Sequence, residues 1–273
     1  MHPKRVRDIC SSGFDRLWSG FPQPIQEIRV ANFVLVHGAA HGAWCWSRVL
    51  PMLKAKGHEV VAVDLPGNGS VGDCTPLDQV DLGCYVHHVC SLLDQFESPV
   101  VLVGHSLGGL TISQAGELRP DKISTLVYLS ALLLQPGEAF RSVMSDDPKR
   151  IRQGLERDSW TISDDLAYVT FHADMARDRF YNDCSPEDVD WALGLLVPQP
   201  TGPLMGHLEI TKANFGRIPR VYIECLQDQA VLPEMQKAMY AAMPCQQVLS
   251  LDTGHSPFLS NPRGLGNDLL SLV

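Results

Sequence analysis

Short apolar runs rich in β-branched residues recur along the chain, and between them lie longer stretches with apolar positions at helical spacing. NFVLVHG at 32–38, EVVAVDLPG at 59–67, PVVLVGHS at 99–106, ISTLVYLSA at 123–131, RVYIECLQD at 220–228 and QVLSLDTGH at 247–255 read as strands. Residues 44–57, 80–97, 107–119, 233–243 and 262–273 read as the helices that connect them. Strands this continuously apolar have no face to give to water. The alternation therefore predicts an α/β fold, with a mainly parallel central sheet flanked by helices on both faces and right-handed crossovers.

The rhythm breaks between Leu132 and Lys212, where Asp, Arg, Trp, Tyr and Phe become frequent and the sequence reads as several short helices. An insertion between two buried strands falls over the strand ends, so this segment is expected to be a helical cap that shapes a substrate pocket. The expected organisation is an N-terminal arm over 1–31, a core built from 32–131 and 213–273, and a cap or lid over 132–212. The arm contains the Pro-interrupted stretch FPQPIQ and reads as extended.

Composition removes several function classes. A chain of 273 residues, 45% hydrophobic and 19% charged, suits one large domain with a sizeable core. The net charge of -9, with no Lys or Arg cluster beyond the first few residues, argues against nucleic acid and against stable association with an anionic membrane. No run approaches the ~20 apolar residues of a membrane span, and the first twenty residues lack the apolar stretch of a secretory signal. A cytoplasmic location is expected. The eight Cys are scattered without a Cys-x-x-Cys pair and read as reduced, buried thiols. No feature of the pattern specifies an oligomeric state.

The chemistry concentrates in Gly104-His105-Ser106-Leu107-Gly108-Gly109, directly after one expected strand and directly before an expected helix. A serine on such a turn is held in a strained backbone conformation and exposed at the top of a sheet, which is the context a nucleophile elbow requires. A serine hydroxyl needs a base. Of the ten histidines, His255 follows the last strand and so reaches the same sheet edge as Ser106. His87 and His88 fall in a helix, His58 in a turn at the opposite edge, and His105 is too close in sequence to reach round to Ser106. Asp228, in the loop after its strand and between Ser and His in chain order, is the expected partner that orients the imidazole. Glu224 lies inside the strand and Asp252 too near His255 to face its ring.

An oxyanion site needs two amides. Leu107, at the helix start, supplies one, and Ala39 or Ala40 in the small-residue loop VHGAAHGAWCW supplies the other. Ala40, His105, Trp160 and His207 are taken as substrate-contacting positions, and His172 as a further residue of the insertion able to reach substrate. Trp44 and Trp46 suit core packing and pocket lining equally, and Asp64 reads as structural. His37 and His41 lack the His-Glu-x-x-His pattern, and GHSLGG lacks the Lys-Ser/Thr ending of a phosphate loop. No metal and no cofactor are expected.

In FVLVHGAAHGAWCW, GHSLGG, YIECLQDQAVLPEMQ and TGHSPFLSNP, in that order, the chain resembles the α/β-hydrolase superfamily from about residue 32 onward. Within it, the similarity is to the branch of plant methylesterases, plant hydroxynitrile lyases and bacterial carboxylesterases such as pyrethroid and carbendazim hydrolases. The resemblance implies an α/β-hydrolase fold, a triad of Ser106, Asp228 and His255, and oxyanion donors at Ala39 and Leu107. It also implies a small-molecule ester as substrate. The typical lyases carry Thr and Lys where this chain has Gly38 and Ser256, which favours the esterase members. The expected activity is thus a serine carboxylesterase acting on a small or aromatic ester through an acyl-enzyme on Ser106. A lactone or carbamate stays open as substrate, and the alternative activities are lyase-like C–C cleavage and a non-catalytic ligand-binding relative.

Overall fold

The computed structural model describes residues 30–68, 75–140 and 159–273. Nearly all of the N-terminal arm, and residues 141–158 of the stretch 132–212, lie outside them. Six strands form the main sheet: β1 (Asn32–Val36), β2 (Glu59–Val63), β3 (Val100–His105), β4 (Ile123–Leu129), β8 (Arg220–Cys225) and β9 (Gln247–Leu251). Their order is β2-β1-β3-β4-β8-β9 and every pairing is parallel. Burial explains the apolar runs. All six positions of β3 are buried at the sheet centre, whereas β9 at the edge buries only Leu251.

Two apolar layers cover the sheet. Val34, Leu102 and Leu126 face one with Tyr85 and Leu110, while Phe33, Val103 and Leu129 face the other with Trp46 and Phe258. The period-2 alternation of side chains along each strand puts successive residues into opposite layers. The helices include α1 (Leu50–Lys54), α2 (Leu82–Leu93) and α3 (Gly108–Leu118) in the first half of the chain. Helix α2 begins where the Asp81 carboxylate accepts the Cys84 amide at 2.8 Å. The stretch expected as one helix over 44–57 is instead a 3-10 turn at Ala43–Trp46 followed by the short α1, with Pro51 in its first turn.

The segment between β4 and β8 corrects the expectation of helices alone. It contains α4 (Ala173–Phe180), α5 (Pro186–Leu193) and α6 (Gly202–Met205). It also contains an antiparallel three-stranded sheet of β5 (Trp160–Ile162), β6 (Tyr168–Phe171) and β7 (Gln199–Pro200). Strands of two to four residues are too short for their alternation to register in the sequence. The chain then closes through α7 (Pro233–Ala242), α8 (Pro257–Ser260) and α9 (Pro262–Leu270). The six described cysteines are all free thiols, three of them buried. Among the described residues no helix is long and apolar enough to cross a membrane.

Candidate active site

Ser106 sits between the end of β3 and the start of α3 with φ +52°, a left-handed conformation that costs energy for any residue but glycine. Three backbone bonds hold it there. Its amide donates to the Leu129 carbonyl at 3.2 Å, and its carbonyl accepts the Gly109 and Leu132 amides at 3.1 and 3.0 Å. The sheet and the helix together over-determine the turn.

Asp228 and His255 arrive from the loops after β8 and β9, both buried. His255 Nδ1–H donates to Asp228 Oδ2 at 2.7 Å, and Ser130 Oγ donates to the same oxygen. Asp228 Oδ1 accepts the Ala230 and Val231 amides at 2.6 and 2.8 Å. Four donors thus fix the position of the carboxylate. The pairing also orients the His255 ring, with Nδ1 toward Asp228 and Nε2 as its other ring nitrogen. Ser106 and His255 share the wall of one cavity of about 520 Å³.

Three further imidazoles surround this pair and all are held neutral. His105 donates from Nε2 to the His255 carbonyl at 2.9 Å; burial, then the nearby His255, keeps its pKa well below the ordinary value. His37 accepts the Leu65 amide at Nε2 (3.1 Å) and donates from Nδ1 to the Gly38 carbonyl (2.8 Å), and burial lowers its pKa to about 4. His41 donates from Nδ1 to the Ala39 carbonyl at 2.7 Å and accepts the Tyr181 hydroxyl at 2.9 Å, with its pKa lowered to about 3, again by burial. Among the described histidines only His255 combines a hydrogen-bonded carboxylate partner with a place on the cavity wall beside Ser106.

Ala39 and Leu107 both line the cavity. Among the described residues neither amide donates to a protein acceptor, so both are available to a ligand. Gly38 is pressed against the turn: a Cβ there would lie 2.8 Å from Ser106 Cβ and 2.9 Å from His105 Nδ1. The threonine of the lyases does not fit this space without rearrangement.

The sequence matches the alpha/beta hydrolase family over residues 33–266. The chain belongs to that family. Methylesterase 1 of Arabidopsis thaliana is 33% identical over 264 residues, which span 91% of this chain and 98% of that protein. Among solved structures, the methylesterase protein MES16 from Arabidopsis superposes with a TM-score of 0.77 at 30% identity, covering 89% of this chain and 98% of the other. A pyrethroid hydrolase from Sphingobium faniae JZ-2 superposes equally well, with TM-score 0.77, 30% identity, and coverage of 89% and 97%. These relatives lie in the branch the sequence resembles and support a hydrolase of the esterase type.

On this α/β-hydrolase frame the other site expectations fall into place or fail. Trp160 lines the cavity. His105 reaches its wall but is fully buried and bonded to the His255 backbone. Ala40 is corrected: it is buried with φ +59°, its amide donates to Gln199 Oε1 at 2.9 Å and its carbonyl accepts the Val197 amide at 3.1 Å. Both its polar groups are taken up by the segment between β4 and β8, and it does not line the cavity. His207 is corrected as well; it is exposed and lines a separate groove with Leu82 and Arg119. His172 is exposed and bonded to Thr161 Oγ1 at 2.7 Å.

Trp46 is core, whereas Trp44 stacks on the His41 ring. Asp64 is structural, accepting the Ala43 amide at 2.6 Å. Glu224 and Asp252 bond Tyr240, Ser250 and Gln227 instead of His255. Sequence reasoning missed Ser130, Tyr181, Asp183 and Gln199, single polar residues whose partners are 71 to 159 positions away where they touch these loops. It also missed Arg179, the one Lys or Arg on the cavity wall among the described residues. Among those residues no group of three or more His, Cys, Asp and Glu is placed to hold a metal ion.

Proposed function

We propose that the protein is a serine carboxylesterase, with residues 132–212 forming a cap over the active site. Ser106 Oγ attacks the ester carbonyl while His255 Nε2 takes its proton, and Asp228 stabilises the imidazolium without itself being protonated. The Ala39 and Leu107 amides hold the oxyanion; one such donor contributes ~10²–10³ in turnover. His255 then protonates the departing alkoxide, and the acyl group stays on Ser106 until a water, deprotonated by the same imidazole, releases the acid. The observation that carries this reading is the fixed Asp228–His255 pair, whose imidazole lies on the same cavity wall as the strained Ser106.

The substrate follows from the wall. Trp160, Val169, Phe171, Phe180, Leu204 and Met235 present aromatic and aliphatic surface, which suits an ester with an apolar acyl or alcohol portion. The relatives' names, methylesterase and pyrethroid hydrolase, are consistent with that class. Lyase chemistry is not favoured: Ser256, at the position of the lyase lysine, is fully buried and offers no cation.

The test is stopped-flow hydrolysis of p-nitrophenyl acetate and butyrate by the wild type and Ser106→Ala, with mass spectrometry for an acyl adduct. The wild type is expected to show a burst and an acyl group on Ser106, and the variant to lose at least about 10⁴ in turnover. A variant that turns over at the wild-type rate would remove Ser106 from the mechanism.

A further inference from the structure

The cap touches the core where the chemistry is. Tyr181, Asn182 and Asp183 follow α4 as three consecutive residues, and each bonds a different loop of the site. The Tyr181 hydroxyl donates to His41 Nε2 in the oxyanion loop at 2.9 Å. Asn182 Nδ2 donates to the Gln227 carbonyl, next to Asp228, at 3.1 Å. Asp183 Oδ2 accepts the amide of Gly254, next to His255, at 2.6 Å.

Two independent features show that the loops are shaped around this corner. Gly254 has no room for a side chain, since a Cβ would meet Asn182 Oδ1 and lie 2.5 Å from Asp183 Oδ1. On the other side of the oxyanion loop the cap grips again: Val197 and Gln199 bind both backbone groups of Ala40, and Gln199 is anchored in turn by Tyr85 and the Pro200 carbonyl at 3.1 and 2.9 Å. The Ala39–Ala40 peptide is therefore pinned at its carbonyl by His41 and at its amide by Gln199. The neighbouring Ala39 amide is left directed by two cap elements, not by the core alone.

We propose that Tyr181 and Asp183, with Asn182 between them, are positioning residues: one corner of the cap fixes the oxyanion, acid and base loops at once. Seating of the cap and assembly of the catalytic geometry are then a single event, and the cap is part of the active-site scaffold as well as a wall of the pocket. The inference rests on the serine-esterase reading above. Hydrogen bonds that orient groups already in place act on transition-state stabilisation more than on substrate binding, so their loss falls on kcat.

The test compares Tyr181→Phe, Asp183→Ala and Asp183→Asn with the wild type and Ser106→Ala. Each is assayed for kcat and KM on p-nitrophenyl butyrate, for inhibition by an alkylboronic acid that forms a tetrahedral adduct on serine, and for melting temperature. Tyr181→Phe and Asp183→Ala are expected to lower kcat about tenfold each and weaken the boronate by the same factor, with KM within about twofold. Asp183→Asn keeps an oxygen for the Gly254 amide and is expected to recover most of the loss. Wild-type kcat and boronate affinity in both variants, beside an inactive Ser106→Ala, would overturn the positioning role and leave the esterase reading standing. An equal fall in melting temperature and activity that Asp183→Asn does not rescue would also overturn it. Full turnover in Ser106→Ala would instead bring down the underlying reading, and this inference with it.

Discussion

Strand β3 of the large sheet buries all six of its residues, whereas β5 of the small sheet leaves Thr161 and Ile162 exposed and only half-buries Trp160. The parallel sheet is sealed on both faces by apolar layers; the antiparallel one is short, partly open to solvent, and tied to the core through the polar side chain of Gln199, as the turn after α4 is through Asp183. The difference separates stability from function. Apolar burial sets how firmly the core folds. The polar ties contribute little net stability but fix directions, because a hydrogen bond is directional and a methyl contact is not.

The largest effect that follows is on folding. Leu102 is fully buried in β3, in register with Val34 and Leu126, and Leu102→Ala is expected to cost about 2–5 kcal/mol through lost transfer energy and the cavity left behind. Val169→Ala, in β6 of the small sheet, removes two methylene equivalents from a buried residue that lines the cavity and is expected to cost about 1.6 kcal/mol or less. Urea unfolding of the two variants measures this directly. Equal losses would mean that the small sheet is as much a core as the large one.

Acid sharpens the same contrast at the seam between the two regions. His37 and His41 have folded pKa values of about 4 and about 3, lowered by burial from the ordinary 6.5. Between those limits the unfolded chain binds protons that the folded chain refuses. Stability is therefore complete above about pH 6.5 and falls with pH, by about 1.4 kcal/mol per pH unit for each ring. By pH 5 this is about 2 kcal/mol per ring. Protonation also places a donor where each Nε2 accepts, from the Leu65 amide and the Tyr181 hydroxyl respectively. Urea midpoints measured from pH 7.5 to 5 check the slope, and a flat profile would show that these rings titrate as exposed ones do.

How much of this the sequence discloses tracks the same division. Burial on both faces forces unbroken apolar runs, so the six strands, the elbow at Ser106 and the strand-end positions of Asp228 and His255 are all legible. The small sheet is not, because WTI and YVTF are too short for a period to emerge and their neighbours in the sheet are set by tertiary contact. Ala39 and Ala40 are indistinguishable as residues. What separates them is the φ of +59° at Ala40 and a glutamine 159 positions away. Ser130 illustrates the remaining gap, since a serine at a strand end carries no mark of the carboxylate it faces.

That serine offers the smallest and most pointed test. Ser130 belongs to the large sheet's strand ends: its amide donates to the Ile223 carbonyl at 2.9 Å and it is fully buried with φ +38°. Its hydroxyl, however, serves the site by donating to the Asp228 oxygen that holds His255. Ser130→Ala leaves three donors on the carboxylate and creates no large cavity, so the stability loss is expected to be about 1 kcal/mol. The residual freedom of the carboxylate falls on the imidazole it orients, and kcat/KM is expected to drop about fivefold to tenfold. If stability falls by several kcal/mol while kcat/KM is unchanged, Ser130 belongs with the apolar core. If activity falls with stability nearly intact, the polar side chains that hold Asp228 act on direction, as those of the cap corner do.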